Sequence, residues 1–136
     1  MFLIDTNVIS EARKGDKADP GVQSFLQTTG EEDIYLAVQT LGELRQGVER
    51  VRARGDLPQA RILESWLDSI LRTYADRVLD FDRECAEVWG KLMSPHPQNP
   101  IDKQIAAIAL IHDLTIVTRN TDDFEASGAA LMNPFA

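Results

Sequence analysis

Phe2-Leu3-Ile4-Asp5-Thr6-Asn7-Val8-Ile9-Ser10-Glu11 is the stretch on which the fold turns. Its first three residues are apolar and suited to a strand, with no polar residue alternating among them. Such a run belongs in a strand covered on both faces, as in a parallel sheet. It stops at Asp5-Thr6-Asn7, residue types that open helices, and a helix is expected over residues 8–14, ending near Gly15. A buried strand that feeds directly into a helix is the repeating unit of an α/β fold.

Outward from this stretch the same order recurs. Pro20, the face Val22, Phe25 and Leu26, and the stop at Gly30 predict a second helix. Ile34-Tyr35-Leu36-Ala37-Val38 predicts the second strand, and Thr40 opens a long helix carrying Leu41, Leu44, Val48 and Val51. Gly55-Asp56-Leu57-Pro58 breaks that helix, and another follows with Ile62, Leu63, Trp66, Leu67, Ile70 and Leu71 on its apolar face. Val78-Leu79-Asp80-Phe81 predicts a third strand, and Asp82 caps a helix carrying Cys85, Val88, Trp89 and Leu92. After a proline-broken loop, Asn99-Pro100 starts a helix that runs to His112. Thr115-Ile116-Val117-Thr118 is the fourth strand, and Leu131-Met132 a short fifth. Apolar strands alternating with helices imply a parallel sheet with helices on both faces, whose site lies beyond the carboxyl ends of the strands. Asp5 and residues 118–123 fall there.

Composition narrows the function. At 136 residues the chain suits one domain, and 43% hydrophobic residues exclude a disordered polymer. No apolar run approaches the ~20 residues a membrane helix needs, and residues 2–5 carry no basic, then apolar, leader pattern. The one cysteine, Cys85, allows neither an internal disulfide nor a cysteine zinc cage, so a reducing, cytoplasmic setting is expected. The net charge of -8 argues against holding nucleic acid by bulk attraction. It leaves open an acidic site bridged to phosphate by a cation.

Three acids stand at element starts. Asp5 suits either a helix cap or a metal ligand. Thr40-Leu41-Gly42-Glu43 matches a capping box, so Glu43 taken alone belongs to its own helix end. Asp102 sits at the third position of the helix begun by Pro100, where the helix dipole favours negative charge by roughly 0.3–1 kcal/mol. Together the three fall on one edge of one sheet, and two carboxylates 4 Å apart repel by ~4 kcal/mol at an effective dielectric of about 20. A divalent cation removes that cost. Oxygen ligands without a Cys or His cluster point to Mg²⁺ or Mn²⁺. His96 reads as a loop residue and His112 as a helix-end charge. Trp66 and Trp89 read as core. The arginines from Arg45 to Arg61 read as a solvated helix face, the alternative being a basic rim for RNA. Thr6 and Thr118 are candidates for orienting ligands, or for closing their own turns.

Leu3-Ile4-Asp5-Thr6-Asn7-Val8-Ile9-Ser10-Glu11, Glu43-Leu44-Arg45-Gln46-Gly47, Asp102-Lys103-Gln104-Ile105-Ala106-Ala107 and Thr118-Arg119-Asn120-Thr121-Asp122-Asp123-Phe124 occur in this order across the whole chain. In that order they resemble the PIN-domain family, in its bacterial toxin branch of the VapC and FitB type; Met132-Asn133-Pro134-Phe135 also looks like the FitB-like ending. The resemblance implies one PIN-like domain over residues 1–136, an α/β/α sandwich with a parallel sheet ordered 3-2-1-4-5. It implies a Mg²⁺- or Mn²⁺-dependent endoribonuclease acting on RNA, a homodimer, and inhibition by a cognate antitoxin. Operator DNA would then be reached only through that antitoxin. Catalysis would rest on Asp5, Glu43 and Asp102 around the metal, with Asn120 and Asp123 completing the shell. The family often carries a fourth acid where this chain has Asn120, a neutral oxygen donor. Asp122 or Asp123 on the next turn is the candidate substitute, against an ordinary use as a cap before Phe124. A flap nuclease and a catalytically weak RNA-binding module are the rival readings.

Overall fold

A computed structural model of the chain describes residues 1–136. Its strands are β1 (Phe2–Ile4), β2 (Ile34–Ala37), β3 (Val78–Leu79), β4 (Thr115–Val117) and β5 (Leu131–Met132). Every pairing is parallel and the order is β3-β2-β1-β4-β5, as expected. The sheet is centred on β1, with Phe2 level with Ile34 on one side and Thr115 on the other.

The side-chain alternation of a strand explains the layers. Leu3 and Ile116 point to one face and meet Ile105, Ala106 and Ile108 of α6 (Pro100–His112) and Cys85 of α5 (Arg83–Met93). Ile4 and Val117 point to the other face. There they meet Val8 and Ile9 of α1 (Thr6–Ala12), Phe25 of α2 (Pro20–Thr28), Val48 of α3 (Val38–Ala53) and Leu67 of α4 (Leu57–Thr73). Two apolar cores of similar size thus lie on either side of one sheet, the three-layer α/β/α arrangement. No helix is long and apolar enough to cross a membrane.

Several boundaries differ from expectation. α1 begins at Thr6, directly after Asp5, and ends at Ala12, earlier than residue 14. β2 stops at Ala37, and α3 follows at once from Val38 with Ala37 as its cap. Thr40 is therefore inside the helix, 0% exposed, with its hydroxyl unpartnered. The capping box does not form, because the neighbouring strands carry β2 straight into the helix before Thr40 is reached. β3 pairs only through Val78 and Leu79, opposite Leu36 and Ala37, leaving Asp80 and Phe81 outside the ladder. Thr118 lies just past β4. Asn99 does precede α6, but in the left-handed conformation (φ 52) and without a side-chain cap bond.

Two arginines of the run, Arg45 and Arg52, are held in ion pairs. Arg45 pairs with Glu64 at 2.7 Å, Arg52 pairs with Glu64 at 3.0 Å, and Arg52 also pairs with Glu49. The two pairs with Glu64 lace α3 to α4 across the turn at Gly55. Trp66 packs on the core beneath α1 to α4, and Trp89 packs on the α5 and α6 side while its indole N–H donates to the Pro100 carbonyl at 3.0 Å.

Candidate functional site

Asp5 is held where β1 ends by its own amide, which donates to the Val117 carbonyl at 2.9 Å. Its side chain is 7% exposed. One carboxylate oxygen accepts from the Thr6 amide at 2.9 Å, so the cap reading is true as far as it goes. The other accepts from the Thr118 hydroxyl at 2.7 Å and from the Asn7 side-chain amide at 3.3 Å. Thr118 is 0% exposed, so β4 delivers a fixed hydroxyl to the acid after β1. That hydroxyl also accepts from the Asn120 amide at 3.1 Å, which folds the turn carrying Asn120 back on the site.

Glu43 is on the second turn of α3. With its capping box absent, its carboxylate instead accepts from the Thr6 hydroxyl at 2.7 Å. Thr6 and Thr118 thus each orient an acid from a different element, which sequence reading left open. Asp102 projects from the first turn of α6. Asp123 lies in the turn of Thr121–Asp123, whose end is anchored by the buried Phe124.

Electrostatics ties these acids together. Burial, and then the charges of Asp5, Asp123 and Glu43, push the Asp102 carboxyl up to about 6. Burial also raises Asp5, against the Thr118 and Thr6 hydrogen bonds, and Asp123 adds to the rise. Asp5, Glu43, Asp102 and Asp123 therefore share one field, whereas Asp122 contributes to neither shift. Asn120 is exposed at the same turn. No three of the side chains close directly into a ligand shell.

Sequence reading missed two residues. Asn7 donates to Asp5 and Thr118 and accepts from the Arg119 amide at 3.1 Å, joining the turns after β1 and β4. Nothing in an isolated Asp-Thr-Asn distinguishes this from a helix start. Lys103 is 5% exposed and donates to the carbonyls of His96 and Gln98. Its place on the apolar stripe with Ala106 and Ala107 was the available signal. Glu11 turns away from the acids: it accepts from the Asp19 amide at 2.9 Å and pairs with Lys14.

A family model described as PIN domain matches residues 2–128. The chain belongs to the PIN-domain family. Toxin FitB of Neisseria gonorrhoeae is 36% identical to it over 141 residues, covering 99% of both chains. VapC ribonuclease Y4jK of Sinorhizobium fredii is 33% identical over 141 residues, covering 99% of this chain and 98% of its own. The solved structure of FitAcB from Neisseria gonorrhoeae matches this PIN domain with a TM-score of 0.88 at 35% identity, covering 98% of each chain. FitAB bound to an IR36 DNA fragment matches with a TM-score of 0.85 at 32% identity, covering 100% of this chain and 96% of that one.

Proposed function

We propose that this PIN domain is the toxin of a toxin–antitoxin pair, an endoribonuclease that works with Mg²⁺ or Mn²⁺ bound by Asp5, Glu43 and Asp102. The observation that carries the reading is the gathering of acids at Asp102, whose half-buried carboxyl is raised to about 6 by burial first and then by the charges of Asp5, Asp123 and Glu43 from three other segments. A fold that gathers negative charge so closely is relieved by a hard divalent cation, and the donor set is all oxygen. Asn120 and Asp123 complete the shell.

When bound, the cation supplies a water of lowered pKa and neutralises charge on the phosphoryl group. The protein's own part is orientation. The Thr6 amide holds one Asp5 oxygen, Thr118 and Asn7 hold the other, and the Thr6 hydroxyl fixes Glu43. Partners of metal-ligating carboxylates of this kind set both geometry and affinity. Asn120 provides a neutral oxygen, so a second cation would be held weakly.

The similarity to toxin FitB and VapC ribonuclease Y4jK supports RNA as substrate and an antitoxin as partner. A net charge of -8 suits a basic antitoxin arm. Operator DNA is then contacted through the antitoxin, the toxin is a homodimer, and the pair works in the cytoplasm. The test is cleavage of total RNA with Mg²⁺, with EDTA, and with Asp5→Ala. Cleavage is expected only in the first case. Wild-type cleavage rates from a folded Asp5→Ala protein would end the proposal.

A further inference from the structure

Residues 133–136 run back over the molecule and are seated there. The Ala136 amide donates to Asp19 at 2.9 Å, and the Phe135 amide donates to the Asn133 side chain at 3.0 Å. Gly21 leaves them room: a Cβ there would stand 2.1 Å from the Pro134 carbonyl oxygen and 2.8 Å from the Ala136 nitrogen. The same Asp19 oxygen caps α2 by accepting from Gly21 at 2.8 Å. The bond from Ala136, first among several, holds the Asp19 carboxyl below its ordinary range.

This seat presents the Phe135 ring to Arg119, whose guanidinium carbon lies 4.3 Å from the ring centroid. Arg119 is the one basic residue in the segments that follow β1 and β4, residues 5–11 and 118–123. It directly follows Thr118, the hydroxyl that orients Asp5, and its amide is fixed by Asn7. Its guanidinium nonetheless makes no salt bridge, although Asp19 lies within reach of its charge. The arginines of α3 that do pair, Arg45 and Arg52, are spent on Glu49 and Glu64. Arg119 is thus exposed and stacked, with its donor fork open, next to a turn crowded with acids. An arginine held on one face by an aromatic ring keeps its in-plane donors free for a phosphate.

We propose that Arg119, pre-set by Phe135, is a phosphate seat for a nucleotide flanking the cleaved bond of the RNA, and that residues 133–136 complete it. This rests on the ribonuclease reading. It also answers a problem that reading creates, since four clustered acids repel the substrate backbone and the two segments that carry Asp5 and Asp123 hold a single cation.

The test is steady-state cleavage of a short single-stranded RNA in Mg²⁺ across a salt series, with Mn²⁺ affinity measured separately by calorimetry. Arg119→Ala is expected to raise KM and to flatten the slope of log KM against log salt by about 0.7, the value for one phosphate on a single strand. Phe135→Leu is expected to raise KM about 2- to 5-fold at unchanged kcat, the loss of one exposed cation–π contact. Gly21→Ala, which displaces residues 133–136, should copy Phe135→Leu, while Arg119→Lys keeps the salt slope. Mn²⁺ affinity should stay at the wild-type level throughout. An unchanged KM and slope in Arg119→Ala would overturn the seat, as would a matching loss of Mn²⁺ affinity, which would reduce Arg119 to a prop for the acids. Wild-type protein that cuts no RNA would strike the ribonuclease reading itself.

Discussion

Asp102 carries the least comfortable charge of the site, and its pKa has a measurable consequence. Its carboxyl is raised to about 6 from 3.8, so the folded chain holds this proton more tightly than the unfolded one. The stabilisation is complete below the unfolded value and is lost as pH rises through about 6. Metal-free protein should therefore melt lower at pH 8 than at pH 5. Asp102→Asn should remove most of that difference and raise the melting temperature at pH 8, measured by calorimetry in EDTA. A variant less stable than wild type at pH 8 would contradict this. Thr118 makes a second residue-scale case. Thr118→Val keeps the shape but removes the 2.7 Å bond to Asp5. Mn²⁺ affinity is expected to fall about tenfold, in the range for a lost partner of a metal ligand, and stability to drop by about 1–3 kcal/mol, because the buried hydroxyl's partners lose their bonds. Calorimetric titration reads the first and scanning calorimetry the second.

Among the elements, β1 and β2 do most to place the site, because α1 and α3 spring from their ends without a loop. Asp5 and Glu43 are thereby carried to one place by two strands that pair side by side. The scaffold is tightly filled: Leu36 on β2 is 0% exposed within the core beneath α1 to α4. Leu36→Ala should cost about 2–5 kcal/mol, visible as a lower urea midpoint at unchanged m-value, and an effect below about 0.5 kcal/mol would mean the site collapses freely. Element identities were legible in the sequence because buried strands, prolines at helix starts and Gly55 are local signals. The start of α3 was not. The local pattern Thr40-Leu41-Gly42-Glu43 is a sound cap, yet pairing of β2 with both neighbours brings the helix start forward to Val38. Local capping and sheet pairing competed for the same residues, and the sheet won. That loss releases Glu43 to meet Thr6.

At the scale of the whole molecule, a chain of net charge -8 has no general attraction for RNA. RNA affinity should then depend on the divalent ion. Fluorescence anisotropy with a labelled RNA and the Asp5-intact protein, under Ca²⁺ or in EDTA, should give clearly tighter binding with the ion. Equal binding in both would point to a surface that holds RNA without a metal.

The order of strands and helices and the parallel sheet were determined by the sequence alone, which also picked out Asp5, Glu43, Asp102 and Asp123 as candidates for the site. Each is written in the residue types of a short segment. What only the tertiary structure decided is how Asp5 and Glu43 are held. Asn7 and Thr118 stand 111 positions apart, and their meeting at Asp5 depends on β1 and β4 lying side by side. No local pattern encodes a contact made by packing two distant strands, so the hydroxyls and amides that aim the carboxylates became visible only once the sheet had brought them together.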